Sequence, residues 1–265
     1  ARMELTALRP GKGMWDHALY RIHFRHLLDA LQAHTGASAQ GRDRLAAQDL
    51  DVFIGVADAY STLGWFKDPV TLNLIQGTAP ELGEIILHEM THTTLYLKEQ
   101  SPFNEGLAVL VGKVGAVHFF EHTFGPLHPF TRKAKASLDD ERRFSGFLNG
   151  LMDKLESLYG SSLSHEEKLT RREAIFSNAL ETFKGLSTEF KTDRFSRFGQ
   201  APLNNAYLQA VGLYHRHFDL FESVLKAKGG SIREVLSFFE GLAKENNDLL
   251  KATALWLQGR STPHT

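Results

Sequence analysis

The sequence predicts an α+β domain built mostly of helix, and three observations carry that prediction. Apolar residues recur near the helical period, as Trp15, Leu19, Ile22, Phe24, Leu27, Leu28 and Leu31 do across 14–34. Capping pairs three residues apart, Ser164 with Glu167 and Ser231 with Glu234, announce helix starts. One stretch, Asp51-Val-Phe-Ile-Gly-Val56, is short, β-branched and aromatic in the way of a strand.

Taken in order, residues 1–40 form an N-terminal helical segment and residues 51–56 a strand. Tyr60-Ser-Thr-Leu-Gly-Trp-Phe66 follows, as loop or as a second extended segment, so a small β-sheet is expected near residues 50–66. A helix runs from about Pro80 to Lys98, with Thr78 as its cap and Glu81 and Glu84 in its first turns. Ser101-Pro102 breaks it, and Pro102 suits the first turn of the next helix, about 102–120. Gly125-Pro126 and Pro129 mark another break, before a long helix over about 131–158. Ser164 opens a helix to about 185, residues 187–201 read as an irregular surface loop, and Pro202 starts a helix ending at Gly229-Gly230. The last helix spans about 231–244. No internal repeat or low-complexity segment interrupts residues 1–265, which read as a single domain.

Composition narrows the chemistry. The 265 residues carry a net charge of −1, so no global field favours nucleic acid or an anionic membrane. There is no cysteine, which leaves His, Asp and Glu as the strong metal ligands. No run approaches the ~18 apolar residues of a membrane span. The chain begins at Ala1 rather than methionine, and an upstream piece, able to carry a signal or anchor, is expected to have been removed.

The chemistry concentrates in His88-Glu89-Met90-Thr91-His92. Histidines four apart project from one helix face and can share one zinc ion. Glu89, about 100° round the helix from His88, can reach a metal-activated water as general base. The alternative is a buried structural pair, but two unpaired histidines in so apolar a helix (Leu82, Ile85, Ile86, Leu87, Met90, Leu95) would be costly. Phe103-Asn-Glu105 opens the next helix, and a glutamate there can swing back to complete a His88, His92, Glu105 set with one position left for water. His118-Phe-Phe-Glu-His122 matches the reversed His-x-x-Glu-His pattern, but no third ligand is evident and surface histidines at a helix end are the simpler account. The extended metzincin pattern fails, with Leu95 and Lys98 where glycine and histidine are required.

These blocks together resemble a bacterial family of predicted aminopeptidases of the gluzincin type. The likeness rests on Tyr60-Ser-Thr-Leu-Gly-Trp-Phe-Lys-Asp-Pro-Val70, the His88–His92 helix, Phe103-Asn-Glu105, Pro202-Leu-Asn-Asn-Ala206 and Tyr214-His215, and covers about 42–245. The resemblance implies a gluzincin-like zincin fold, one zinc ion per chain on His88, His92 and Glu105, and Glu89 as base. It also implies a peptide or protein substrate, a periplasmic or cell-envelope location, and in the full-length form a lipoprotein anchor upstream, the only membrane association expected. The short spacing from His92 to Glu105 implies a tight turn between the two helices.

Gluzincins also need an oxyanion donor from later in the chain. Tyr214 is the first choice, with His215 and Tyr207 as rivals; packing of Tyr214 in the core is the alternative. Asn204 and Asn205 either bind substrate backbone or cap a helix. Tyr60, in a segment that either pairs with extended substrate or packs its aromatics in the core, is a further candidate contact. An aminopeptidase also needs an acid for the substrate α-ammonium, and Glu81, Glu84, Glu99 and Asp68 are the candidates. The expected function is zinc-dependent peptide hydrolysis, most simply as an aminopeptidase. The alternatives are a zinc endopeptidase or a zinc-binding envelope interaction protein without turnover.

Overall fold

The computed structural model describes residues 2–8, 43–48, 50–57 and 77–261. The helix read over 14–34, the Tyr60–Phe66 segment and Asp68 lie outside the described residues. Two strands are present, β1 (Arg2–Leu8) and β2 (Asp51–Ala57), paired antiparallel with Leu5 opposite Ile54. Eight helices follow among the described residues: α1 (Ala79–Thr94), α2 (Ser101–Phe124), α3 (Pro129–Gly160), α4 (His165–Leu186), α5 (Asn205–His215), α6 (Phe218–Ala227), α7 (Ile232–Leu242) and α8 (Leu249–Ser261). The protein is therefore predominantly α-helical, as its sequence predicts. None of the described helices is long and apolar enough to cross a membrane.

The chain divides into two compact units: Ala1–Tyr60 with Phe147–Gly212, and Ser61–Gly146 with Leu213–Thr265. In the first, β2 is held by polar side chains. Arg172 of α4 donates to Asp51 at 2.9 Å, and the Asn204 amide donates to the Val52 carbonyl at 3.1 Å. Residues 187–201 are irregular after a short 3-10 turn, as expected, but they are not merely surface. Phe195 and Phe198 are buried, and Phe198 stacks obliquely on Phe183 with ring centroids 4.7 Å apart. Phenylalanine side chains give this stretch an apolar interior that backbone periodicity could not reveal.

The second unit is organised round α2. From Leu107 to Val117 its only charged residue is Lys113, and every position but Gly115 is buried. Phe103 of α2, Phe221 of α6 and Phe239 of α7 meet edge to face with centroids 5.1–5.6 Å apart, and Leu107 and Leu110 join the same core.

The single helix read from Pro202 to Gly229-Gly230 is corrected: the chain breaks at Arg216-His217 into α5 and α6. No Gly or Pro marks the break. The buried Phe218, Phe221, Val224 and Leu225 bring a different face to the core than a straight continuation of α5 would offer. The helical reading of 1–40 is corrected where residues are described: Arg2–Leu8 is strand β1, held by its pairing with β2; α8 has no counterpart in the sequence pattern.

Candidate metal centre

α1 begins where Thr78 and Glu81 close a capping box, the Thr78 N–H donating to the Glu81 carboxylate at 2.7 Å. The helix ends at Thr94, four residues earlier than its apolar pattern implies. Leu95 is extended, and Glu99 takes the left-handed conformation at φ 64° to turn the chain into α2. Asn104, 1 % exposed, locks this turn. Its Oδ1 accepts from the Leu97 N–H at 3.0 Å and its Nδ2 donates to the Leu97 carbonyl at 2.7 Å. The tight turn implied by the short His92–Glu105 spacing is thus built by the residue next to Glu105.

That turn lays α2 against α1. A Cβ at Gly112 would stand 2.7 Å from the Glu84 carbonyl oxygen, so only glycine permits the approach. His88, His92 and Glu105 converge as a result. His88 Nε2 lies 3.2 Å from Glu105 Oε2 and 3.2 Å from His92 Nε2, and His92 Nε2 lies 3.4 Å from the same carboxylate oxygen. Three ligands on a tetrahedral zinc at ordinary bond lengths are about 3.3 Å apart, so the donor atoms already stand at the edge lengths of such a site. Among the described residues, this is the group of three His, Asp or Glu side chains that could hold a metal ion. Burial acts to raise the Glu105 carboxyl, but hydrogen bonds and charge from His88 and His92 outweigh it and hold the group at about 2. An acceptor-only carboxylate beside two imidazole nitrogens is the chemistry of a divalent-metal cradle. Glu89 is half-buried, next in sequence to the first ligand.

The other candidates sort clearly. The Tyr214 ring lies 6.3 Å from the His88 ring, centroid to centroid, and is 37 % exposed, so it is a neighbour of the cradle and not a core residue. His215 turns to a buried carboxylate, its Nδ1 2.6 Å from Glu141 Oε1. Tyr207 packs on Phe53 and Phe198, and burial pushes its phenol up to about 12. Asn204 caps α5, accepting from the Tyr207 N–H at 2.8 Å. Asn205 is 2 % exposed and accepts from the Tyr159 hydroxyl at 2.7 Å. Both asparagines thus make anchoring contacts within their own unit. Tyr60 lies outside the described residues.

Of the acids considered for an α-ammonium, Glu81 caps α1 and pairs with Lys133 at 2.9 Å, while Glu84 is buried against Lys113 at 2.7 Å. Glu99 is exposed. His118 and His122 lie exposed in the last turns of α2, and Glu121 between them pairs with Lys135 at 2.8 Å. The sequence reading passed over Asn104, Gly112 and Lys113. Lys113 had a signal, a lone charge in an apolar run; Asn104 had none beyond its place in the Phe103-Asn-Glu105 block, and Gly112 had none.

A family model described as "Putative aminopeptidase" matches residues 33–253. Neither curated proteins nor solved structures returned a match to the chain.

Proposed function

Since the chain belongs to the putative aminopeptidase family, we propose that it is a zinc-dependent peptidase of gluzincin type that removes N-terminal residues from peptides. The observation that supports this most directly is the triangle of His88, His92 and Glu105 donor atoms at 3.2–3.4 Å. His88, His92 and Glu105 would hold the zinc ion, whose Lewis acidity would serve a water and the scissile carbonyl. Glu89 accepts the proton of that water and returns it to the leaving amine. The Tyr214 phenol, beside His88, donates a hydrogen bond to the carbonyl oxygen as it gains charge. A periplasmic or envelope location, with any anchor upstream of Ala1, belongs to the same proposal and rests on the family resemblance.

One observation favours a second reading, internal cleavage. Among the described candidates, Glu81 and Glu84 already serve Thr78, Lys133 and Lys113 and Glu99 is exposed beside Lys98, while Asp68 lies outside the described residues, so none of the described acids is assigned to the α-ammonium.

The test is mass spectrometry of unblocked and N-acetylated peptides incubated with zinc-loaded protein, with Glu89→Gln as control. Stepwise shortening of unblocked peptides alone, absent in the variant, is the expected result. Cuts inside both sets make it an endopeptidase. No cleavage by protein holding one zinc per chain points to the binding-only alternative.

A further inference from the structure

Four ionisable groups thread the interior of the unit that carries the metal cradle. Lys113 is 2 % exposed, Glu84 4 % and Glu141 0 %. The Lys113 ammonium donates to Glu84 Oε2 at 2.7 Å and to Ser137 Oγ at 2.6 Å, and stands 3.9 Å from Glu141 Oε2. The other Glu141 oxygen lies 2.6 Å from His215 Nδ1, and the His215 ring sits edge-on to Phe144 at 5.3 Å.

Both ends of this chain of contacts lie beside the site. Glu84 is one helical turn before His88 on α1. His215 ends α5, directly after Tyr214, whose ring lies 6.3 Å from that of His88. The series therefore closes a loop from the helix of the metal ligands, through α2 and α3, back to the tyrosine beside the cradle.

Stability alone does not account for it. A buried ion pair is generally no more stabilising than well-packed apolar groups of the same volume, whereas it does fix distances and orientations. We infer that Lys113 and Glu141 are positioning residues: through His215 they set where the Tyr214 ring stands relative to His88 and the metal ligands. The inference rests on the proposed metal-peptidase reading of the site.

The test uses the cobalt(II)-loaded protein with ring-13C-labelled tyrosine, the Tyr214 signal being identified by its loss in Tyr214→Phe. Its hyperfine shift reports the placement of the ring relative to the metal. Glu84→Gln/Lys113→Met removes the pair and leaves the buried Glu141 carboxylate to His215 alone, and Glu141→Gln, which keeps the side-chain shape without the charge, serves if the double variant does not fold. Expected are folded variants that bind one cobalt per chain with parental affinity but with a displaced Tyr214 shift. On a peptide the parent cleaves, kcat falls at least about tenfold, with KM within about twofold. A Tyr214 shift and kcat that stay parental in folded variants overturn the inference alone. A parent that takes up no cobalt overturns the metal-site reading beneath it.

Discussion

Gly112 faces His88 across the α1–α2 contact: a Cβ built on it would lie 3.5 Å from the His88 Cβ and 2.7 Å from the Glu84 carbonyl oxygen. The first distance is ordinary contact and the second is a clash with backbone, which has no flexible end to swing aside. The separation of the two helices, and with it the fit of Glu105 to the two histidines, depends on a hydrogen atom at this position. Gly112→Ala gains about 1 kcal/mol of helix propensity but forces α1 and α2 apart, an overpacking typically worth 1–3 kcal/mol. The expected outcome is a lower thermal midpoint and weaker zinc binding in chelator competition. Parental zinc affinity in the alanine variant would show that the close approach does not set the cradle.

Metal should stabilise the folded chain through Glu105. A ligand that binds only the native state adds about 2.7 kcal/mol at a hundredfold excess over its dissociation constant, so zinc should raise the thermal midpoint and a chelator lower it. Glu105→Ala removes one of the three proposed ligands and should make the midpoint insensitive to both. A zinc-dependent midpoint of parental size in Glu105→Ala would remove this glutamate from the ligand set.

Much of the helical order and the whole candidate cradle were legible because both are local. His88 and His92 lie one turn apart, Glu105 follows a single turn of chain, and of the two capping pairs the sequence offers Ser164–Glu167 forms the full box while Ser231 caps α7 by accepting from the Glu234 N–H; Thr78, read as a cap, forms a box with Glu81. What escaped the sequence depends on contacts distant in the chain. β1 exists through its pairing with β2, some fifty residues later. The α5–α6 break follows from Phe218 and Phe221 turning inward, which no Gly or Pro announces. Glu141 sits in the run Asp139-Asp140-Glu141-Arg142-Arg143, which reads as a solvated face until folding sets it against His215 and Lys113. α8 is nearly uniform in polarity round its axis, and the Trp256 contact with Phe238 at 4.5 Å supplies packing that its own pattern does not.

The two tyrosines proposed as oxyanion donors should separate in kinetics. Tyr214 stands beside His88 and is part-exposed, so Tyr214→Phe should leave stability within about 0.5 kcal/mol. Loss of one oxyanion donor costs about 10²–10³ in kcat, with zinc retained. Tyr207 packs among Phe53 and Phe198, and Tyr207→Phe should leave kcat unchanged. Equal kcat for the parent and Tyr214→Phe would return that ring to a packing role.

Asn104 should prove as necessary to the cradle as a ligand, although it touches none. Its amide accepts from the Leu97 N–H and donates to the Leu97 carbonyl, which also accepts from the Gln100 N–H at 3.3 Å. Asn104→Ala takes from the partly buried Leu97 N–H its side-chain acceptor, at about 1–3 kcal/mol, and leaves the Leu97 carbonyl with the Gln100 N–H alone. The cost falls on the segment that fixes Glu105 against His92, so zinc affinity should drop along with the unfolding free energy. Asn104→Asp retains the acceptor for the Leu97 N–H but loses the donor to its carbonyl, and should fall between parent and alanine in both measurements. If chelator competition gave all three proteins one zinc affinity, the turn would be a structural feature without a hand in the site. A graded loss would make the Leu97–Asn104 clamp the reason that so short a connection can carry the third ligand.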